Sequence, residues 1–277
     1  MSVLRAGLIG ANISRTRLPA ALEILCAMTG WTLDFALIDT CDDPDFDLAG
    51  FVDTARRDGW SGVSVTHPHK TQGADYVGGR MDADMALLGA ANLITFQPRL
   101  RGTNTDFTGA KALFRQSGVG PLGDVTMIGA GGVARALAPV IRAQQNHGAV
   151  LFVHDRDGDA ARDLCDTIGK ARIPIGVGAL SSAIARSDGV VNATPIGMAE
   201  HPGSVFDPSD LVHPRWAFDA IYTPPETEFL REARLAGMTV ISGFDLFRHM
   251  ALDTFEIYTG QTPPDEAFAR LAGLRPG

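Results

Sequence analysis

Val125-Thr126-Met127-Ile128-Gly129-Ala130-Gly131-Gly132-Val133-Ala134-Arg135-Ala136 reads as a buried strand, a glycine turn and the opening of a helix. That order has a physical use. Glycines let the backbone turn tightly and come close to a ligand, and a helix start presents unpaired N–H groups and a positive dipole end. A dinucleotide pyrophosphate is the ligand such a turn receives. Three neighbours strengthen the reading: the apolar strand before the turn, a helical pattern through Ile141, and a second strand ending at Asp155. The acid lies 26 positions beyond Gly129, near the spacing of a ribose-binding carboxylate.

Working outward, further strands are expected near Phe152, Ile175, Val190, Phe218 and Val240. Helices at Val133–Ala143, Asp159–Ile168, Ser181–Ala185 and Glu226–Ala236 separate them. With the first strand these make the six of a doubly wound Rossmann sheet. Upstream, Val3–Gly10, Leu33–Ile38 and Gly62–Thr66 read as strands, and Pro19–Thr29 and Leu48–Arg57 as helices. This alternation predicts a mainly parallel sheet. Met81–Ala90 reads as helical, Leu93–Gly102 as a hairpin around Gln97-Pro98-Arg99, and Phe107–Ser117 as a helix. Phe244, Phe247, Ala251, Phe255 and Tyr258 recur at helical spacing, with no strand after them and a short helix within Pro264–Leu271. The expected fold is therefore α/β: a substrate domain (1–106 with 243–277) and a Rossmann dinucleotide domain (107–242), the substrate lying in the cleft between them.

The 277 residues suffice for either one large core or two small ones, and 45% hydrophobic with 20% charged residues is ordinary for a soluble globular protein. A net charge of −8 argues against a nucleic-acid or anionic-membrane surface. Cys26, Cys41 and Cys165 are odd in number and lack metal-ligand spacing, so they read as reduced thiols of a cytoplasmic protein, with no metal site. The N-terminus lacks the apolar core of a signal peptide, and no apolar run reaches membrane-spanning length.

Of 24 basic residues only three are lysines: Lys70, Lys111 and Lys170. Arginine keeps its proton in a protein, whereas lysine gives it up when its surroundings lower its pKa. Lys70 stands in Ser64-Val65-Thr66-His67-Pro68-His69-Lys70, directly after a strand, where functional loops concentrate. Thr103-Asn104-Thr105-Asp106 holds the same kind of position, although Asp106 could also cap the helix that follows. His67 and His69 have no carboxylate or cysteine companion and read as residues of a pocket edge or of the surface.

On these motifs the chain resembles the shikimate/quinate dehydrogenase family over essentially its full length. The family's N-V-T-x-P-x-K appears as Ser64 to Lys70, G-A-x-N-T as Gly89-Ala90-Ala91-Asn92-Leu93, and N-T-D as Asn104-Thr105-Asp106. N-A-T-P-x-G-M stands intact from Asn192 to Met198. The D-x-x-Y segment runs from Asp219 through Tyr222, and Gly243 and Tyr258-Thr259-Gly260 bound the terminal motif.

The resemblance implies oxidation of a ring hydroxyl of a cyclic carboxylic acid, shikimate or quinate, with hydride passing to a nicotinamide. Lys70 would be the general acid/base and Asp106 would orient it while bonding a substrate hydroxyl. Ser14, Thr16, Thr66, Asn92, Asp106 and Tyr222 would contact substrate. Gly129, Ala130, Gly131, Gly132, Val133, Asp155, Arg156, Thr194, Ala220 and Gly243 would contact the dinucleotide.

Three positions depart from the family pattern. The usual S-x-S-P is met either by Thr16 and Leu18 before Pro19 or, two residues earlier, by Ser14-Arg15-Thr16; Thr16 survives both registers, and Arg15 or Arg17 could face the carboxylate. Ser64 replaces an asparagine, and Met250 a glutamine that would both donate and accept. These changes leave quinate, shikimate or a related, for instance amino-substituted, ring acid as substrate. They also leave a non-catalytic sensor of such acids as the alternative. Asp155-Arg156-Asp157 stands where NADP-using members carry N-R-T. Two acids accept from a free ribose hydroxyl and repel a phosphate, while Arg156 pulls the other way by stacking on adenine or pairing with a phosphate; two acids against one arginine favour NAD over NADP. A monomer or homodimer is expected.

Overall fold

The computed structural model describes residues 2–169 and 172–275. It falls into two compact units, one formed by residues 2–108 with Arg248–Leu274, the other by Gly109–Phe247 with Arg275.

The first unit is built on a five-stranded sheet in the order β2-β1-β3-β4-β5. Strands β1 (Ser2–Gly10), β2 (Trp31–Asp39) and β3 (Gly62–Val65) are parallel, each joined to the next by a helix, α1 (Leu18–Thr29) and α2 (Leu48–Arg57). The antiparallel hairpin β4 (Leu93–Thr95) and β5 (Arg101–Thr103) closes the sheet. Ile9, Val52, Val63, Val65, Ile94 and Phe96 form a core on one face. Between β3 and β4 the structure departs from expectation. A helix, α3 (Lys70–Val77), begins at the lysine itself, and the stretch read as helical from Met81 contains a 3₁₀ segment at Ala83–Leu88.

Helix α4 (Thr105–Gln116) leads into the second unit. Its sheet is wholly parallel, in the order β11-β10-β9-β6-β7-β8. The strands are β6 (Val125–Ile128), β7 (Leu151–His154), β8 (Arg172–Pro174), β9 (Gly189–Asn192), β10 (Trp216–Asp219) and β11 (Thr239–Ser242). Helices α5 (Gly132–Gln144), α6 (Gly158–Ile168), α7 (Leu180–Ile184) and α8 (Glu228–Leu235) connect them. Every residue of β6, β9 and β10 is buried, as expected for strands covered on both faces. Ile175 lies just past β8, bonded through its amide to Val153. The order is that of the doubly wound Rossmann sheet, and its reversal falls between β6 and β9, where ligands of such sheets bind beyond the strand ends.

Helix α9 (Gly243–Thr259) returns the chain to the first unit, and α10 (Ala267–Arg270) with a 3₁₀ turn to Leu274 follows. Among the described residues no helix is long and apolar enough to cross a membrane.

Candidate functional site

In the first unit the sequence-derived residues gather at one edge of the sheet. Because β1 and β3 run parallel while β4 runs back and β5 forward again, the ends of β1, β3 and β5 and the start of β4 share that edge. Lys70 and Asp106 meet there: Lys70 Nζ donates to Asp106 Oδ2 at 2.5 Å, with the lysine side chain 24% and the aspartate 8% exposed. Both are held by their backbones. The Lys70 carbonyl accepts from Ala91 N at 2.9 Å, and Asp106 lies in the first turn of α4. The cap of that helix is Asn104, whose Oδ1 accepts from Phe107 N at 3.2 Å; Asp106 is therefore relieved of the capping task and keeps its carboxylate for the lysine. Asn92 is buried, accepting from Thr105 N at 2.7 Å and donating to Thr105 Oγ1 at 3.1 Å. Thr66 is half-buried beside the pair's loop, with its amide on the Ile9 carbonyl.

The loop after β1 carries Ser14, which is exposed, and Thr16, which is half-buried. Asp39, at the end of β2, holds this loop: its carboxylate accepts from Asn12 N at 2.9 Å and Ile13 N at 3.1 Å. Donated hydrogen bonds, that of Cys41 N first, hold the Asp39 carboxyl below its usual value. Arg17 is spent on the Leu274 carbonyl at 2.9 Å, while Arg15 is exposed.

His69 differs from the surface or pocket-edge reading. It is buried, its Nδ1 facing Gln72 Oε1 at 2.7 Å and its Nε2 facing Thr40 Oγ1 at 2.8 Å. Gln72 Oε1 only accepts, so the ring donates there, and in the neutral ring Nε2 accepts from the threonine. Ser64 is likewise committed: its hydroxyl lies 2.9 Å from that of Tyr258 on α9, and both are buried. Burial drives the Tyr258 phenol up, so it remains protonated.

The second unit places the glycine turn at the tip of β6. Gly129 has φ +105°, a conformation side chains rarely adopt, and a Cβ there would sit 2.6 Å from the Ala193 carbonyl oxygen at the tip of β9. Gly131 and Gly132 face open space. The first amide of α5 with an intrahelical partner is Arg135, bonded to Gly131 O at 3.0 Å, so the amides before it are free to point at an anion. Asp155 reaches back to this turn: Oδ2 accepts from Ala130 N at 2.8 Å and Oδ1 from Asp157 N at 2.9 Å. Asp155 and the exposed Arg156 line a cavity of about 490 Å³ with His154, Arg162, Ile175 and Val177. These features fit a dinucleotide: open glycines for the pyrophosphate, a carboxylate with lone pairs to spare for ribose.

Thr194 and Ala220 stand on the loops after β9 and β10, and Gly243 opens α9. Tyr222 stacks on Phe247, ring centroids 5.5 Å apart and planes within 16°. Beneath these loops lies Asp219, which sequence reading treated only as part of a motif. It is wholly buried, and burial lifts its carboxyl to about 6 against the opposing pull of hydrogen bonds from Thr227, Ile221 and Asn192.

Comparison with known proteins bears on the family and the fold. The family model for the shikimate dehydrogenase substrate binding domain matches residues 8–94, inside the first unit. A quinate/shikimate dehydrogenase (NAD(+)) of Corynebacterium efficiens is 37% identical over 271 residues, 94% of each chain. The chain belongs to the quinate/shikimate dehydrogenase family. A family member of Corynebacterium glutamicum, also named for NAD(+), is 35% identical over 268 residues, 93% of each chain. Among solved family structures, quinate dehydrogenase of C. glutamicum in complex with NAD superimposes with a TM-score of 0.90 at 32% identity, covering 99% of this chain and 98% of that one. A shikimate 5-dehydrogenase of Thermus thermophilus in complex with NADP(H) and shikimate gives 0.84 at 26% identity, covering 99% and 100%.

Proposed function

We propose that this chain is an NAD-dependent dehydrogenase that reversibly oxidises a ring hydroxyl of quinate or shikimate to the ketone, with Lys70 as general acid/base. The observation carrying this reading is the contact of 2.5 Å between Lys70 Nζ and Asp106 Oδ2, at the sheet edge that also holds Thr66 and Asn92. When bound, the dinucleotide supplies the hydride acceptor. In oxidation Lys70, as the amine, takes the hydroxyl proton while hydride leaves the same carbon; in reduction its ammonium returns the proton to the ketone oxygen. Asp106 fixes the ammonium through one N–H and leaves its two others to meet ring oxygens. Thr16 and Ser14 present hydroxyls toward the substrate carboxylate, and Thr66, Asn92 and Tyr222 complete the substrate set.

On the dinucleotide side, Gly129 to Val133 receive the pyrophosphate, Asp155 the ribose, and Arg156, Thr194, Ala220 and Gly243 flank it. NAD is favoured because the loop after β7 carries two carboxylates, Asp155 on the amides of Ala130 and Asp157, and Asp157 capping α6 through Asp159 N and Ala160 N, and their charges disfavour an added phosphate there. That relatives at 37% and 35% identity are named for NAD(+) supports the same choice. With Cys26 and Cys165 buried and all three thiols free, a reducing cytoplasmic setting accords with this reading.

The direct test is NADH absorbance with quinate or shikimate and each cofactor. Turnover of at least one ring acid with NAD, at a kcat/KM about tenfold or more above that with NADP, is expected. A tenfold preference for NADP overturns the cofactor assignment. Ligand-induced stabilisation without any turnover overturns the enzyme in favour of a sensor.

A further inference from the structure

Asp219 ends β10 with 0% exposure, and the groups that bond its carboxyl are all neutral donors. A bare buried carboxylate is costly unless donors converge on it, and here three do. Oδ1 accepts from Asn192 Nδ2 and from Ile221 N, each at 3.0 Å, and Oδ2 accepts from Thr227 Oγ1 at 2.6 Å. Each donor governs a further piece of backbone. Asn192 ends β9, and its Oδ1 accepts from Thr194 N at 3.0 Å and Thr194 Oγ1 at 2.7 Å, while its Nδ2 also donates to Ile196 O at 3.0 Å. Thr227 caps α8, its Oγ1 accepting from Leu230 N at 3.2 Å. Gly197, at φ +116°, rests where a Cβ would come within 3.0 Å of Ile221 Cδ1 and 3.3 Å of Thr227 Cγ2. The loops after β9 and β10 are thus fastened to each other from below by one carboxylate and packed together above it.

We propose that Asp219 is a positioning residue for the dinucleotide: acting through Asn192 and Thr227, it holds the loops 193–198 and 220–227 in the shape that receives the cofactor. The proposal rests on the reading that these loops flank the dinucleotide. A carboxylate suits the task because it only accepts, so both of its oxygens can gather donors. An amide in its place turns an NH₂ group toward one of them. If that group faces Thr227, the threonine, already accepting from Leu230 N, loses the acceptor for its own proton; if it faces Asn192 and Ile221, two N–H donors are left opposed. Either way one loop is released while β10 keeps its backbone ladder.

The experiment measures NAD affinity by calorimetry and, separately, KM for the ring acid, in the parent chain and in D219N, T227V and T227S. D219N and T227V are expected to weaken NAD binding about tenfold, the loss of one charge-assisted hydrogen bond. Ring-acid KM at saturating NAD should rise by less than the loss in NAD affinity, because of the proposed substrate set only Tyr222 stands on these loops, and T227S, which keeps the hydroxyl, should bind NAD like the parent. NAD affinity within about twofold of the parent in D219N overturns the proposal. So does a rise in ring-acid KM equal to the loss in NAD affinity, because that marks general loosening. If D219N does not fold, T227V and T227S decide by the same thresholds. A parent that binds NAD yet turns over no ring acid sinks the proposed reaction while the D219N comparison still decides the role of Asp219. A parent that binds no dinucleotide overturns both.

Discussion

The carboxyl of Asp219 makes folding of its unit depend on pH with an unusual sign. Its folded pKa is about 6, raised from 3.8 first of all by burial. A group whose folded pKa lies above its unfolded one contributes stability that is fully present below the unfolded value and is lost as pH rises through the folded one. The window is therefore pH 4 to 6, and the span between the two values corresponds to about 3 kcal/mol at most. That is a large share of the roughly 5–15 kcal/mol that a domain possesses. Exposed Asp39 and Asp207 run the other way, their carboxyls held low by donated hydrogen bonds, that of Cys41 N first for Asp39 and that of the Ser209 side chain first for Asp207.

Comparing the parent with D219N removes every group the two share. Trp216, buried at the start of β10, reports on this unit once Trp31 and Trp60 are replaced by phenylalanine. Urea unfolding followed by its fluorescence should show the stability of the parent relative to D219N growing by about 2–3 kcal/mol from pH 7 to pH 4. A difference flat to within about 0.5 kcal/mol across that range, or one growing toward pH 7, refutes the reasoning.

Two further outcomes follow from packing. Tyr258→Phe strips the partner from the buried Ser64 hydroxyl and should cost about 1–3 kcal/mol in chemical denaturation, part of which a second change, Ser64→Ala, restores. Gly129→Ala forces a methyl group against the Ala193 carbonyl at a left-handed φ, so NAD affinity measured by calorimetry should fall about tenfold or more while ring-acid binding to the apoprotein persists.

What was legible in the sequence follows from range. β6, β9 and β10 could be placed closely because strands buried on both faces are written as continuous apolar runs. Helix α3 escaped notice because Lys70-Thr71-Gln72-Gly73 shows no apolar period. Its start is held by Ala91 N on the Lys70 carbonyl, and a Cβ on Gly73 would lie only 3.1 Å from the Ala91 carbonyl, contacts no local pattern reveals. The segment read as helical from Met81 is broken by the extended backbone of Asp82 and by left-handed Gly89, leaving only 3₁₀ geometry between them. Lys70, Asp106 and the glycine turn were visible because each sits in a contiguous motif. The couplings that hold them were not: Ser64 meets Tyr258 across 194 positions, His69 meets Thr40 across 29, and Asp219 gathers donors from the end of β9 and from the loop after β10. Asp39 left one usable signal, an acid ending a parallel strand beside the edge where the site forms.

Everything turns on whether the amine of Lys70 moves the proton. The decisive measurement is kcat, with NAD affinity in parallel, for Lys70→Ala and Lys70→Arg against the parent with its preferred ring acid. General acid–base catalysis is worth roughly 10²–10⁴-fold. The account predicts a loss of that size in both variants with NAD affinity within about twofold of the parent, since arginine keeps the charge beside Asp106 but does not give up its proton. A Lys70→Arg enzyme retaining more than about a tenth of the parental kcat would contradict it.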